Sequence, residues 1–324
     1  MDGAGGAILR PFLFARGTRY GAPMRAPPAP PASDPDALMR LAVEALLARD
    51  LPAARALIRR AVAIGHVDGA LMEVALTANG SGGPADWASA LALLRTAAAD
   101  DPVAQRHLML LAAMDLDAAG APRSLPPSER LSDTPDVLRF RRLISPGECA
   151  HIAGAAQDVL APSHVVDPKT GGLREHPIRT SDGAVIGPTR EDLVIRAINR
   201  RVAAISGTHV DQGEALSVLR YRPGQQFRLH HDAIAGVANQ RIKTVLLYLN
   251  DGFRGGETCF PAAGLTITPA AGDAILFVNT LADGMADPAA THAGLPVTAG
   301  VKWLATRWIR ARPIDPWNMP ATAD

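Results

Sequence analysis

The 324-residue chain carries 33 Lys and Arg against 32 Asp and Glu, a formal net charge of +1, so no basic field marks it for nucleic acid and no acidic block marks a solvating tail. Its length suits one large domain with a smaller companion, each burying a core of its own. Two cysteines, Cys149 and Cys259, and the lack of an apolar run long enough to cross a bilayer exclude a disulfide-stapled scaffold and a membrane span, which points to a soluble, cytoplasmic protein with both thiols free. Residues 1–33 end in Ala-Pro-Pro-Ala-Pro-Pro-Ala-Ser and are expected to be a disordered, extended segment. Arg10 and Pro11 interrupt its one apolar stretch, which argues against a signal-peptide core, and its four arginines come without the serines of a transit peptide.

Ser33 or Asp34 before Pro35 supplies an N-cap and a first-turn proline, so helices are expected from residue 35 and a small all-α domain over 34–117. Within it Leu57-Ile-Arg-Arg-Ala61 aligns with Leu93-Leu-Arg-Thr-Ala97, and Ala54 aligns with Ala90 in the same frame. Small residues recurring in paired helices suit a short Sel1- or tetratricopeptide-like helical-repeat array, with an ordinary helical bundle as the alternative. Residues 118–134 read as a linker by composition.

Beyond it Val137-Leu-Arg-Phe-Arg141 predicts a strand, and Ser145-Pro-Gly-Glu148 predicts a capping box that opens a helix toward Leu160. A second helix is capped by Thr189 and Asp192 and stopped by Gly207, with Val194, Ile198, Val202 and Ile205 on one face. From Ala215 the pattern turns to short β-runs: 216–221, 244–249, 265–268, 274–278 and 301–309. Many short strands between Gly and Pro turns imply an α+β chain built on a double-sheet jelly roll, or double-stranded β-helix, spanning 135–313 with a tail at 314–324.

The chemistry gathers in Tyr221-Arg-Pro-Gly-Gln-Gln-Phe-Arg-Leu-His-His-Asp232. If the run after the Pro-Gly turn is a strand, His230 and Asp232 project from one face and His231 from the other. An imidazole and a carboxylate joined by a distant histidine make the facial triad that holds non-haem Fe(II) with positions open for substrates and dioxygen. His292 is the best candidate for the third ligand. The remaining histidines, His66, His107, His151, His164, His176 and His209, have no partner at ligand spacing and read as structural or surface residues. On the last strand period-two alternation places Lys302, Leu304, Thr306 and Trp308 on one face, and an inward lysine calls for an anion beside it.

From about Asp136 to Pro313, the order and spacing of Tyr221, Gly224, Gln225, Phe227, His230 and Asp232, then Gly255-Gly-Glu-Thr-Cys-Phe-Pro261, then His292 to Trp308, resemble the prolyl 4-hydroxylase-like 2-oxoglutarate/Fe(II) dioxygenases. The resemblance implies Fe(II) on His230, Asp232 and His292, with 2-oxoglutarate and O2 as co-substrates and ascorbate as a candidate reductant. It implies that Lys302 binds the far carboxylate of 2-oxoglutarate, that Tyr221 and Thr258 contact the same molecule, and that Trp308 lies near the site. Arg241 matches an arginine that meets substrate in the peptidyl-prolyl enzymes and Glu214 a nearby acidic position, which makes both candidate substrate-binding residues, although each also reads as a solvated charge. Phe227 stands where those enzymes often have tyrosine, and Ala233-Ile234 follow the aspartate where they often have an aromatic residue.

The expected function is hydroxylation of a C–H bond coupled to decarboxylation of 2-oxoglutarate to succinate and CO2, with a peptide or protein substrate, proline by resemblance, docked by the N-terminal helices. The alternatives are a free amino acid or other small-molecule substrate, or a non-catalytic binding module. No basic stripe with interleaved aromatics supports a nucleic-acid substrate.

Overall fold

The computed structural model describes residues 34–166, 173–175 and 178–318, so the expected disorder of 1–33, the end of the tail and the reading of His176 lie outside the described residues. The first part is helical: α1 Pro35–Leu47, α2 Leu51–Ala63, α3 Val67–Asn79, α4 Trp87–Ala97 and α5 Pro102–Ala113. Asp34 caps α1 by accepting from the Ala37 amide at 3.0 Å, with Pro35 at the first helical position, and Asp50 and Asp101 cap α2 and α5 in the same way. The aligned pairs Ala54/Ala90 and Ile58/Leu94 are all fully buried, in α2 and α4. No helix among the described residues is long and apolar enough to cross a membrane.

Among the described residues two further α-helices, α6 Pro146–Ala156 and α7 Leu193–Ser206, are interleaved with sixteen strands. These are β1 Ser128–Asp133, β2 Asp136–Phe140, β3 Ala161–Pro162, β4 His164–Val166, β5 Leu173–Glu175, β6 Asp182–Ile186, β7 Leu216–Tyr221, β8 Phe227–His230, β9 Arg241–Tyr248 and β10 Arg254–Gly255, followed by β11 Thr258–Phe260, β12 Leu265–Ile267, β13 Ala274–Val278, β14 His292–Gly294, β15 Val297–Ala299 and β16 Lys302–Arg310. Both predicted helices form where expected. Ser145 and Glu148 close a reciprocal capping box on α6, and Asp192 and Gly207 bound α7. The stretch expected as a linker contains β1, whose mostly exposed Ser-Glu-Arg-Leu-Ser-Asp pairs with β2 at the sheet edge, a polar composition that suits an edge strand and hid it.

Among the described residues all of the strand pairings in these two sheets are antiparallel, and the strand order is β1-β2-β13-β9-β16-β7-β6-β3 in the large sheet and β12-β11-β14-β8 in the small one. Leu219, Tyr221, Leu246, Tyr248, Phe260, Ile275, Phe277 and Leu304 pack together from the two sheets into the barrel interior. The outer face of the large sheet is covered as well, by a second cluster that joins Val218, Leu247 and Ala305 to Ile152 of α6 and Val194, Ile198 and Val202 of α7.

That outer cluster continues into the helical segment through Val74, Trp87, Leu94, Ala104 and Leu111. Only α1, α2 and α3 bury a small core of their own, around Leu38, Met39, Ile58 and Leu76, against which Trp317 from the chain's far end packs. The Trp317 indole also donates to the Ser81 hydroxyl at 2.8 Å. Apolar burial thus runs unbroken from α3, α4 and α5 through α6 and α7 to the outer face of the large sheet, beside the barrel interior and the small core of α1 to α3.

Candidate active site

The pairing of β14 with β8 sets His292 directly opposite His230. Their rings lie 4.2 Å apart between centroids. β8 ends at His230, so Asp232 stands two residues past the strand, yet its carboxylate still turns inward: Oδ1 is 3.6 Å from His230 Nε2 and Oδ2 is 3.9 Å from His292 Nε2. One donor atom from each of the three side chains lies within 4.8 Å of the others.

Each imidazole is oriented through its other nitrogen. Nδ1 of His230 donates to the Arg228 carbonyl at 2.8 Å and Nδ1 of His292 donates to the Ala290 carbonyl at 3.0 Å, which leaves both Nε2 lone pairs facing the carboxylate. Burial pushes His230 down to about 3 and lowers His292, so both rings are neutral. Burial opposes ionisation of Asp232, but His292, His230 and the Thr244 hydroxyl together hold it below the ordinary carboxylate range. Two neutral imidazoles and one carboxylate, aimed at a common point, are a donor set suited to a divalent transition metal. His231 turns the other way, with Nε2 donating to the Asp287 carbonyl at 2.7 Å.

Behind the triad runs a relay that the sequence did not reveal. Asn279 donates to the Thr244 hydroxyl at 2.9 Å, and that hydroxyl donates to Asp232 Oδ2 at 2.6 Å, with Asn279 and Thr244 both fully buried. The relay holds one carboxylate oxygen in place. Thr244→Val removes the hydroxyl at nearly constant volume and is expected to weaken metal affinity about 10- to 100-fold. A titration of turnover against Fe(II) reads this effect, and an unchanged half-saturation point would exclude the role.

Phe227, where related enzymes were expected to have tyrosine, stacks on His230 with ring centroids 3.5 Å apart and planes 11° from parallel. Phe277 meets His292 edge-on at 4.7 Å. Apolar rings thus wall the triad on two sides and keep its surroundings poorly hydrated.

The same cavity is lined by Tyr221, Thr258, Lys302, Leu304, Thr306 and Trp308. The period-two reading of β16 therefore holds for its inward face. The opposite face is buried too, so eight of the strand's nine residues are buried and the alternation leaves no trace in exposure. Lys302 lies across from Tyr221 in the β16–β7 pairing and is 2% exposed. Among the described residues its ammonium makes one hydrogen bond, to the Gly256 carbonyl at 2.6 Å, and no ion pair. An ammonium has three donors, and a buried one needs an anion, so Lys302 could hold a carboxylate. Burial pushes its pKa down to about 8, with Glu257 pulling the other way. The Gly255-Gly256 pair makes this approach feasible: both take φ near +70°, and a Cβ on Gly256 would press to 3.2 Å from Lys302 Cδ.

The Tyr248 hydroxyl is 2.7 Å from that of Thr258, and the two rings of Tyr221 and Tyr248 flank Lys302 at 5.6 and 5.5 Å. The buried Trp308 indole nitrogen has no hydrogen-bond partner among the described residues. Arg241 and Glu214 do not line this cavity. They pair with each other through two hydrogen bonds of 2.8 and 2.9 Å, both 4% exposed, and the Arg241 guanidinium lies 4.1 Å over the Trp308 ring. Neither is a solvated charge.

Residues 216–310 match the family model described as the 2OG-Fe(II) oxygenase superfamily. Fold, donor set and match together define a 2-oxoglutarate-dependent dioxygenase, whose metal is Fe(II) and whose co-substrates are 2-oxoglutarate and O2. Prolyl 4-hydroxylase 1 of Arabidopsis thaliana is 36% identical over 203 residues, covering 57% of this chain and 72% of that protein, and Prolyl 4-hydroxylase 5 of the same plant is 35% identical, covering 56% and 70%. The chain therefore belongs to the prolyl 4-hydroxylase family. Among solved structures, the viral collagen prolyl hydroxylase of Paramecium Bursaria Chlorella virus-1 in its 2OG complex is 28% identical, covering 54% of this chain and 96% of that one, with a TM-score of 0.45.

Proposed function

We propose that the protein hydroxylates a prolyl residue in a peptide or protein, with His230, Asp232 and His292 as the metal ligands and Lys302 as the anchor for the far carboxylate of 2-oxoglutarate. The observation that carries this reading is the pairing, in one cavity, of an inward neutral-imidazole and carboxylate triad with a buried ammonium that has no ion pair among the described residues. Fe(II), when bound, supplies the activation of dioxygen and the oxidative decarboxylation of the oxo acid.

The chain's own residues bind, orient and exclude water. Asp232 and the two imidazoles supply lone pairs, and the Asn279–Thr244 relay and the two backbone carbonyls stop them from turning away. Lys302 receives a carboxylate in a dry pocket where the charge pair is strong, and the hydroxyls of Tyr221 and Thr258 are offered as hydrogen-bond partners beside it. We assign Arg241 and Glu214 to substrate recognition through Trp308, whose ring the guanidinium covers, rather than as free charges. Support for a prolyl substrate comes from the names of the two Arabidopsis relatives, both prolyl 4-hydroxylases. The helical segment is read as a Sel1- or tetratricopeptide-like array that docks the peptide, since Ala54 and Ala90 occupy equivalent buried positions in α2 and α4. Ascorbate serves as reductant, and the two free thiols suit a cytoplasmic setting.

The test is succinate formation from 2-oxoglutarate with Fe(II), with and without a proline-rich peptide, with His292→Ala as the blank. Turnover raised by the peptide, together with a mass gain of one oxygen on it, is the expected result. Slow turnover that ignores the peptide but vanishes in the blank would overturn the prolyl assignment and redirect the search to free amino acids.

A further inference from the structure

Outside the active site, a second pair of histidines and a carboxylate converge where the helical segment meets the oxygenase helices. His107 comes from α5, His151 from α6, and Asp192 is the N-cap of α7. His151 Nε2 is 2.8 Å and His107 Nε2 is 3.7 Å from the same oxygen, Asp192 Oδ2, and the two imidazoles meet edge to face with centroids 4.9 Å apart. One donor atom from each lies within 4.8 Å of the other two.

The carboxylate is held in place by its other oxygen, which accepts from the Ile195 amide at 2.9 Å. The His107 side chain, in a residue only 8% exposed, makes no hydrogen bond among the described residues, and its Nε2 stands 3.7 Å from Asp192 Oδ2, beyond hydrogen-bond reach. Donors around a four-coordinate zinc ion, with bonds of about 2.0–2.2 Å, stand about 3.3–3.6 Å apart, a spacing that falls between the two nitrogen-to-oxygen distances seen. The three side chains keep 10–16% exposure, which gives an ion a way in and a water room to complete the shell.

We propose that His107, His151 and Asp192 form a Zn2+ site that fastens the helical segment to the oxygenase helices. A plain hydrogen-bonded cluster would need only His151, whose bond to Asp192 is already made. The ion would bridge three elements, two of them brought together only by tertiary packing. The site is separate from the proposed iron ligands.

The experiment is equilibrium dialysis of the metal-free full chain against micromolar free Zn2+, with metal counted by elemental analysis. The wild type is expected to bind two ions per chain, His292→Ala one, His151→Gln one and the double variant none. Gln keeps a donor for Asp192, so the lost ion is not a lost fold, and the His292→Ala count is read without touching the cluster at all. Co2+ bound to His292→Ala is expected to show the intense visible bands of a four-coordinate ion, absent from the double variant. If His292→Ala binds no zinc, the proposal is overturned and the cluster is a hydrogen-bonded clamp. If the wild type and His292→Ala each bind one ion and His151→Gln none, the junction site stands and the proposed iron ligands fail instead.

Discussion

Asp232→Ala is expected to abolish 2-oxoglutarate turnover, with a loss of more than about 100-fold that added Fe(II) does not recover, since outer partners of metal ligands alone are worth about 10- to 100-fold. The aspartate supplies the only charge in the donor set, and both imidazoles approach it, at 3.6 and 3.9 Å. Without it two neutral rings remain, a weak site for a divalent ion. The Thr244 hydroxyl, which now donates to Asp232, would also lose its acceptor in a dry pocket. Succinate formation over a range of Fe(II) concentrations measures the effect, and circular dichroism checks the fold. Turnover within tenfold of wild type would place the metal elsewhere.

Lys302→Met is expected to raise the KM for 2-oxoglutarate by about 100-fold or more, as truncating one partner of a buried charge pair costs about 2–5 kcal/mol, while metal binding is unchanged. The same change should make the co-substrate-free protein more stable by about 1–3 kcal/mol, because an uncompensated buried ammonium gives way to an apolar chain of similar volume. Lost affinity with gained stability separates a binding lysine from a structural one. A Tm that falls would contradict this reading. The pH dependence carries the same signature. Burial holds the free lysine at about 8. Below that pH it is already an ammonium and binding takes up no proton; above it, binding must recruit one, so KM rises about tenfold per pH unit. Stability runs the other way: the unfolded chain keeps its proton up to the ordinary 10.5 while the folded one sheds it near 8, so wild-type stability climbs between these values and the variant's does not.

The local grammar of the sequence was legible. Caps, turns and periodicity located α6, α7 and most barrel strands, because each is dictated by neighbours in the chain. The inward face of β16 was read correctly, although the alternation rests on residue chemistry and not on exposure, since helices cover the far side. Asp232 was assigned to the right wall for an incomplete reason: β8 stops at His230 and a turn aims the carboxylate. What stayed hidden depends on contacts distant in sequence. Thr244 inside β9 and Asn279 just past β13 look unremarkable until the pairing of the two strands sets them side by side. His107, His151 and Asp192 sit on three helices with no shared motif, and Arg241 and Glu214 could not be matched before β9 and the loop ahead of β7 were in place.

The continuous core from Trp87 and Leu111 to Val218 and Ala305 also bears on how the molecule comes apart. Apolar burial shared between segments couples their melting, so α3 to α5 and the large sheet form one cooperative unit and exchange their amide protons through the same global opening. Excising the helices to free the enzyme would strip the cover from α7 and leave an aggregation-prone face, whereas α1 and α2, which join the rest only through the small core they share with α3 and Trp317, are the part that can fray first.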